Sequence, residues 1–129
     1  MRTVTQDIAG LVCKQLCENF GDDPTVWPNH PDTKSYLTAS KETGLRVFNC
    51  GIEQTIAYLY ARNEDKHIRL LAADINFVLS HINNYENDVR ALQVMQNRGF
   101  CTKVLFSEQV IDIVEWIGYY MVGAEVNDA

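Results

Sequence analysis

The chain has 129 residues, of which 47% are hydrophobic and 22% charged. This is the size and composition of one globular domain, and it excludes disordered, collagen-like and low-complexity classes. The formal net charge of −6 disfavours direct nucleic-acid binding, because phosphate groups are held by clustered basic side chains.

We expect no signal peptide, because Asp7 follows the start closely and no apolar stretch with a cleavage site comes after it. The most apolar segment, residues 110–122, contains Asp112 and Glu115 and is shorter than the roughly 20 residues of a membrane span. The four cysteines show no spacing typical of a disulfide framework. These features predict a cytoplasmic protein with reduced thiols.

The first helix is predicted over residues 4–20, because Thr3 and Gln6 have the spacing of a capping box and Gly21 can end the helix. Residues 21–34 contain all three prolines and are predicted to form a loop rich in Pro and Asp. The next stretch, 35–62, keeps one helical phase, in which Leu45 and Phe48 share an apolar stripe with later aliphatic residues. A kink or break near residues 49–51 is expected, giving one or two helices.

Further helices are predicted over residues 64–83, with Asn63 as N-cap, and over residues 85–98. Residues 100–106 are apolar and β-branched but have no partner strand, so an extended connector or helical turn is predicted there. Ser107 is expected to cap a last helix over residues 108–123. Together the elements predict an all-α fold, a single-domain bundle of five or six helices over residues 1–129.

Two pairs of polar residues have the spacing of metal ligands but lack the partners that a metal needs. Cys13 and Cys17 lie one helical turn apart, yet tetrahedral zinc requires a second comparable pair. Glu64 and His67 have the Glu-x-x-His spacing of di-metal carboxylate bundles, which use that motif twice. We therefore predict no metal site, no cofactor and no catalytic residue.

One helix carries two features that can be interpreted in more than one way. His67, Asp74 and His81 recur every seven residues, so about 10.5 Å of helix separates successive members, too far for proton transfer between them. Leu70 and Phe77 lie opposite the main apolar face of the same helix. That ridge is either covered by another helix or forms a partner or dimer surface bordered by the three polar residues.

The proline-rich loop carries Trp27, which is a candidate anchor for a partner protein because a Trp on a rigid segment is immobilised at little entropic cost. The alternative is that Trp27 packs back onto the bundle, with Asp22 and Asp23 in a solvated rim. The last helix combines acidic and aromatic residues and is followed by a chain end without Lys or Arg. This helix is either central to the bundle or shared with a basic partner or second subunit.

The leading hypothesis is a non-enzymatic acidic protein that binds and regulates or inhibits another protein, as phage or plasmid anti-defence and immunity proteins do. The expected partner is a basic, nucleic-acid-handling protein, and a homodimer is left open. The predicted protein-contact residues are Asp22, Asp23, Trp27, Leu70, Phe77, Glu108, Asp112, Glu115, Trp116 and Tyr119.

Two other functions stay open. The first is a ligand- or metal-binding bundle or small enzyme whose site is assembled from dispersed residues, namely His67, Asp74, His81, Tyr85 and Cys101. The second is direct nucleic-acid binding through local basic residues, namely Arg90, Arg98 and Lys103.

Overall fold

The computed structural model describes residues 3–84 and 99–128, and within them the side chains of residues 3–84, 99 and 101–122. In chain order the elements are α1 (Val4–Phe20), a 3-10 helix (Pro24–Asn29), α2 (Thr33–Cys50), α3 (Ile52–Ala61), α4 (Lys66–Asn83) and α5 (Phe100–Asp128). No β-strand occurs among the described residues, and the predicted all-α bundle is confirmed. The helix predicted over residues 85–98 lies outside the described residues, as do Tyr85, Arg90 and Arg98.

The start and end of α1 follow from local sequence. The Thr3 hydroxyl accepts a hydrogen bond from the Gln6 backbone N–H at 3.1 Å, and the Gln6 side chain accepts one from the Thr3 N–H at 2.9 Å. This is the predicted capping box. Gly21 ends the helix with a φ of +104°, a backbone conformation that residues other than glycine rarely adopt.

Residues 21–34 are more ordered than the predicted loop. The Asp23 carboxylate accepts hydrogen bonds from the hydroxyl and the backbone N–H of Thr25, at 2.8 and 3.0 Å, and so caps the 3-10 helix. The same two bonds lower the pKa of Asp23. Helix α2 already begins at Thr33, so only part of the predicted loop lacks helical structure. The rest was wrong because a side-chain cap and a proline in the first turn favour a short helix.

Gly51 separates α2 from α3, which confirms the two-helix alternative for residues 35–62. Its φ of +86°, which glycine adopts readily, changes the direction of the chain. The apolar face of α2 is therefore not in line with the apolar face of α3. Helix α2 buries the opposite face, which includes Thr43 and Val47, so Leu45 and Phe48 stand 62% and 74% exposed, whereas Ile52 and Leu59 are buried. The single apolar stripe predicted through Leu45, Phe48 and the later aliphatic residues was wrong.

Two predicted N-caps were also wrong. Asp65, not Asn63, caps α4, since its carboxylate accepts from the backbone N–H groups of Ile68 and His67, and these bonds lower the pKa of Asp65. Ser107 lies inside α5, where its hydroxyl donates to the carbonyl of Lys103 at 2.9 Å. Residues 100–106 are helical because burial of side chains such as Phe106 overrides a weak β-preference.

Helix α5 packs against α1, α2, α3, α4 and the 3-10 helix, so it is the central element of the described bundle. One buried cluster joins all of these helices. Its fully buried members include Leu16, Tyr36, Leu71, Ile75, Val110 and Ile113. No helix in residues 3–84 and 99–128 is both long and apolar enough to cross a membrane.

The four cysteines are free thiols that differ in exposure. We expect Cys50 and Cys101, which are exposed, to react rapidly with a disulfide reagent in the folded protein. Cys13 and Cys17 are half-buried, and burial raises the pKa of Cys17, so they should react more slowly. Thiol titration with and without denaturant checks this, and four equal rates in the folded protein would contradict the packing of α1.

Candidate protein-docking groove

An apolar groove runs between α2 and α5 and encloses about 670 Å³. It is lined by residues 41, 44, 45 and 48 of α2 and by residues 111, 114, 115, 118, 119 and 122 of α5. All of these residues are apolar or glycine except Lys41, Glu115 and Tyr119. We call this surface the α2–α5 groove.

Two glycines shape the α2–α5 groove. A Cβ atom added to Gly44 would lie 3.2 Å from Cγ1 of Val114, so glycine at this position lets the two helices pack closely. A Cβ atom added to Gly118 would meet nothing within 4 Å. Gly118 therefore leaves open space in the groove that a larger side chain would fill.

The walls of the groove are large hydrophobic side chains that the described residues leave uncovered. Leu45, Phe48 and Tyr119 are each more than half exposed, and Val122 is 41% exposed. Scattered exposed hydrophobic residues are common in monomeric proteins, but several around one concave surface are typical of an interaction site. The groove is therefore our candidate functional site.

Unpaired charges border the groove. Lys41 on α2 and Glu115 on α5 are exposed lining residues. Glu108 lies seven residues before Glu115, so helical periodicity places it on the same side of α5. None of the three forms a salt bridge within the part of the chain that the structure describes. The α5 side is therefore acidic, and the α2 side has a single positive charge.

A second, polar pocket of about 440 Å³ lies where α2, α3 and α4 meet. Arg62, which lines this pocket, lies 3.8 Å from the Glu64 carboxylate and 3.9 Å from the Asp65 carboxylate, and it donates to the Tyr58 hydroxyl. Arg46 stacks on the same tyrosine ring at 3.6 Å. Because Arg62 is already paired and this pocket is smaller than the α2–α5 groove, it is a weaker candidate for a ligand site.

His67 lines the same pocket and also makes a polar contact with Asp32 at the start of α2. Its Nε2 atom lies 3.1 Å from the Asp32 carboxylate, which Lys66 also reaches at 3.0 Å. The hydrogen bonds from Lys66 and His67 lower the pKa of Asp32. These contacts join the start of α4 to the start of α2.

Asp74 is only 3% exposed, so it does not border a partner surface as the second interpretation of the Leu70 and Phe77 ridge required. Its carboxylate accepts hydrogen bonds from Gln15 Nε2 at 2.9 Å, from Asn19 Nδ2 at 2.8 Å and from the Tyr36 hydroxyl at 2.6 Å. Burial raises the pKa of Asp74 to about 6, against the opposing effect of the three hydrogen bonds. This network connects α1, α2 and α4.

The dispersed ligand site suggested by the sequence is not assembled among the described residues. His67 and Asp74 have the separate partners given above, and the ring of His81 contacts the ring of Phe77, with centroids 4.2 Å apart. Cys101 is exposed near the start of α5. Nor do the described His, Cys, Asp and Glu residues form a group of three that could hold a metal ion.

Trp27 is 1% exposed, so the hypothesis that it anchors a partner was wrong and the alternative, packing onto the bundle, is observed. Its Nε1–H donates to the carbonyl of Gly21 at 2.8 Å. Asp22 and Asp23 are exposed beside it, and Asp23 serves as the cap described above.

The Leu70 and Phe77 ridge is half-buried and packs against the core cluster. The ammonium group of Lys14, on α1, lies 5.6 Å from the centre of the Phe77 ring. Most of this ridge is thus covered within the chain, as the first of the two interpretations expected.

The protein-contact residues predicted on the last helix do not lie on one surface. Glu115 and Tyr119 line the groove, and the Trp116 ring contacts the Tyr119 ring at 5.5 Å. Asp112 is half-buried and accepts from the Thr5 hydroxyl at 3.0 Å, on the side of α1. The basic candidate Lys103 forms an ion pair with Glu53.

Most of the groove lining was missed as contact surface by sequence reasoning. The missed residues are Lys41, Gly44, Leu45, Phe48, Ile111, Val114, Gly118 and Val122. One signal for them was available. Ile111 and Val122 are apolar but lie beside the face of α5 that faces the core. Apolar residues outside the core face indicate a second surface that is buried or shared with a partner.

Residues 4–121 match a protein family described as CRISPR-associated protein (Cas_Cmr5). The chain belongs to this family. Its fold is similar to the crystal structure of a CRISPR-associated Cmr5 family protein from Thermus thermophilus, with a TM-score of 0.72 and 15% sequence identity over 95% of this chain and 97% of that chain. Comparison with curated protein sequences gives no match.

Membership of the Cas_Cmr5 family corrects the functional hypothesis. The chain is a CRISPR-associated protein, so the hypothesis of an anti-defence or immunity inhibitor and the hypothesis of an unrelated ligand binder were both wrong. The error has a physical cause. Negative charge and surplus apolar surface are typical of many proteins that bind other proteins, and neither property distinguishes an inhibitor from a subunit of an assembly.

Proposed function

We propose that this protein is a non-catalytic subunit of a CRISPR-associated Cmr complex, a cytoplasmic assembly of several proteins and RNA. The match of residues 4–121 to the Cas_Cmr5 family is the observation that carries this proposal. The similar fold of the Thermus thermophilus family member supports it at the level of architecture.

The side chains that could support chemistry also favour a structural role. Asp74 is buried with three hydrogen-bond donors, and His67 is held by Asp32. Each of these groups stabilises the contact between helices of the bundle. The α2–α5 groove, by contrast, offers apolar surface that the described residues do not use.

Contacts with protein rather than RNA are the better explanation for how the subunit is held. The net charge of −6 opposes close approach to phosphates, and the cations of Arg62, Lys66 and Lys103 are paired with carboxylates. Covering an exposed apolar groove with a protein surface removes apolar area from water, which favours binding without any neutralisation of charge.

The proposal is tested by purifying the Cmr proteins of the source organism together with the RNA of the complex, with an affinity tag on this chain. We expect the other subunits to be purified together with the tagged chain. Size-exclusion chromatography with light scattering should then show one complex that contains all of them. After digestion of the accessible RNA, the tagged chain should stay bound, because protein contacts hold it. Elution of the tagged chain alone would contradict the proposed function, and its release by nuclease would contradict the assignment to protein contacts.

A further inference from the structure

We propose that the α2–α5 groove binds an amphipathic α-helix with basic flanking residues, supplied by a different protein of the assembly. This inference rests on the proposed function for the setting, but the groove itself supplies the chemistry. Three properties of the groove determine its occupant: its apolar lining, its length and the distribution of charge along its sides.

The apolar lining favours a helix over an extended segment. An extended segment would bring backbone N–H and C=O groups into the groove, where the lining offers them few hydrogen-bond partners, and a buried unpaired group costs about 1–3 kcal/mol. A helix satisfies its own backbone groups and presents only side chains. Apolar side chains spaced at i, i+3 or i+4, and i+7 would then contact the groove.

The length of the groove sets the length of the occupant. Its lining on α5 extends from Ile111 to Val122, which corresponds to about 16 Å, or three turns of helix. Open space at Gly118 leaves room for one large side chain of the partner, which the exposed rings of Phe48 and Tyr119 in the same lining can contact. Anchors of this kind contribute most of the binding free energy in protein interfaces.

The charges favour a basic partner over a second copy of this chain. Glu108 and Glu115 place two carboxylates on the α5 side, against the single ammonium group of Lys41 on the α2 side. Two copies, each with a net charge of −6, would also repel each other as they approach. Lys or Arg residues beside the apolar stripe of a partner helix would pair with the two carboxylates.

Two variants and two matched controls isolate the groove. Phe48→Asp places a charge on an exposed wall residue, and Gly118→Leu adds a side chain at a position where an added Cβ atom meets nothing within 4 Å. The controls are Val4→Asp, at another exposed hydrophobic residue, and Gly10→Leu, at another helical glycine whose added Cβ meets nothing within 4 Å. Circular dichroism should show all four variants folded as the unaltered protein is.

The probes are two synthetic helical peptides with the same leucine stripe, one flanked by lysines and the other by glutamates. By fluorescence anisotropy at low salt we expect the lysine peptide to bind at least about tenfold more tightly, with an advantage that shrinks as salt rises. Phe48→Asp and Gly118→Leu should each weaken its binding by about tenfold or more, as expected for loss of a buried anchor. The two controls should leave its affinity unchanged.

Equal affinity for the two peptides, no binding of either, or binding that survives Phe48→Asp would overturn the inference. A doubled mass of the unaltered protein by light scattering, lost in Phe48→Asp, would identify a second copy as the occupant instead. Failure of the inference differs visibly from failure of the proposed function. If Phe48→Asp joins the Cmr complex as well as the unaltered chain does, the groove assignment fails and the function stands. If the unaltered chain does not join it, the function fails.

Discussion

Replacing Trp27 with alanine is expected to lower the free energy of unfolding by about 3–5 kcal/mol. The indole ring is almost fully buried, its Nε1–H donates to Gly21, and the Trp27 carbonyl accepts from the Thr33 hydroxyl. The substitution leaves a cavity where the 3-10 helix packs on α1 and α5. Because a domain of this kind is stable by only about 5–15 kcal/mol, the loss should be plain in urea denaturation followed by circular dichroism.

Val26→Ala is the matched control, since Val26 lies in the same 3-10 helix but is exposed. It should change the free energy of unfolding by no more than about 0.5 kcal/mol. Trp27→Phe should fall between the two, because it keeps an aromatic ring and loses the hydrogen bond to Gly21. Equal unfolding midpoints for the alanine variants of Trp27 and Val26 would show that Trp27 does not hold this segment in place.

Asp74 should make the protein less stable as the pH rises from about 4 to above 6. Its pKa is about 6 in the folded protein, whereas an unfolded chain has a value of about 3.9. Between these values the folded state binds the proton more tightly, so the associated stability is fully present below about pH 4 and is lost as the pH passes through 6. The difference in pKa corresponds to about 3 kcal/mol.

The effect is measured as the free energy of unfolding in urea at a series of pH values. Asp74→Asn should flatten the decline between pH 4 and 7, because the amide does not titrate. Asp22→Asn, at an exposed carboxylate, should leave the decline in place. The lowered pKa values of Asp23, Asp32 and Asp65 act in the opposite direction, since their stabilisation is lost as the pH falls below about 4.

A stability that rises from pH 5 to 7 in the unaltered protein, or identical profiles for it and Asp74→Asn, would contradict the assignment. The three donors to Asp74 come from α1 and α2, so the test also reports on how these helices are joined to α4. Loss of the Tyr36 hydroxyl in Tyr36→Phe should shift the decline to higher pH, because that hydrogen bond lowers the pKa of the carboxyl group.

The sequence predicted the start or end of a helix well where that boundary is set by contacts between residues a few positions apart. The Thr3 and Gln6 side chains cap α1 through backbone groups three residues apart, and Gly21 and Gly51 end helices because glycine tolerates a positive φ. Such interactions are complete within one turn and need no knowledge of the rest of the chain. The same reasoning failed at Ser107, where packing of the preceding residues extends α5 through a residue typical of N-caps.

The candidate site depended on how helices meet, which periodicity does not reveal. Leu45 and Phe48 belong to a stripe typical of a core face, yet α2 packs its opposite face into the core and these two residues lie on the surface beside α5. The sequence by itself determined the fold class, both ends of α1 and the apolar character of the last helix, and it left open whether that helix is central or shared. The tertiary structure alone decided that Trp27 and Asp74 are buried and that a groove lies between α2 and α5, because burial is set by neighbours distant in the chain.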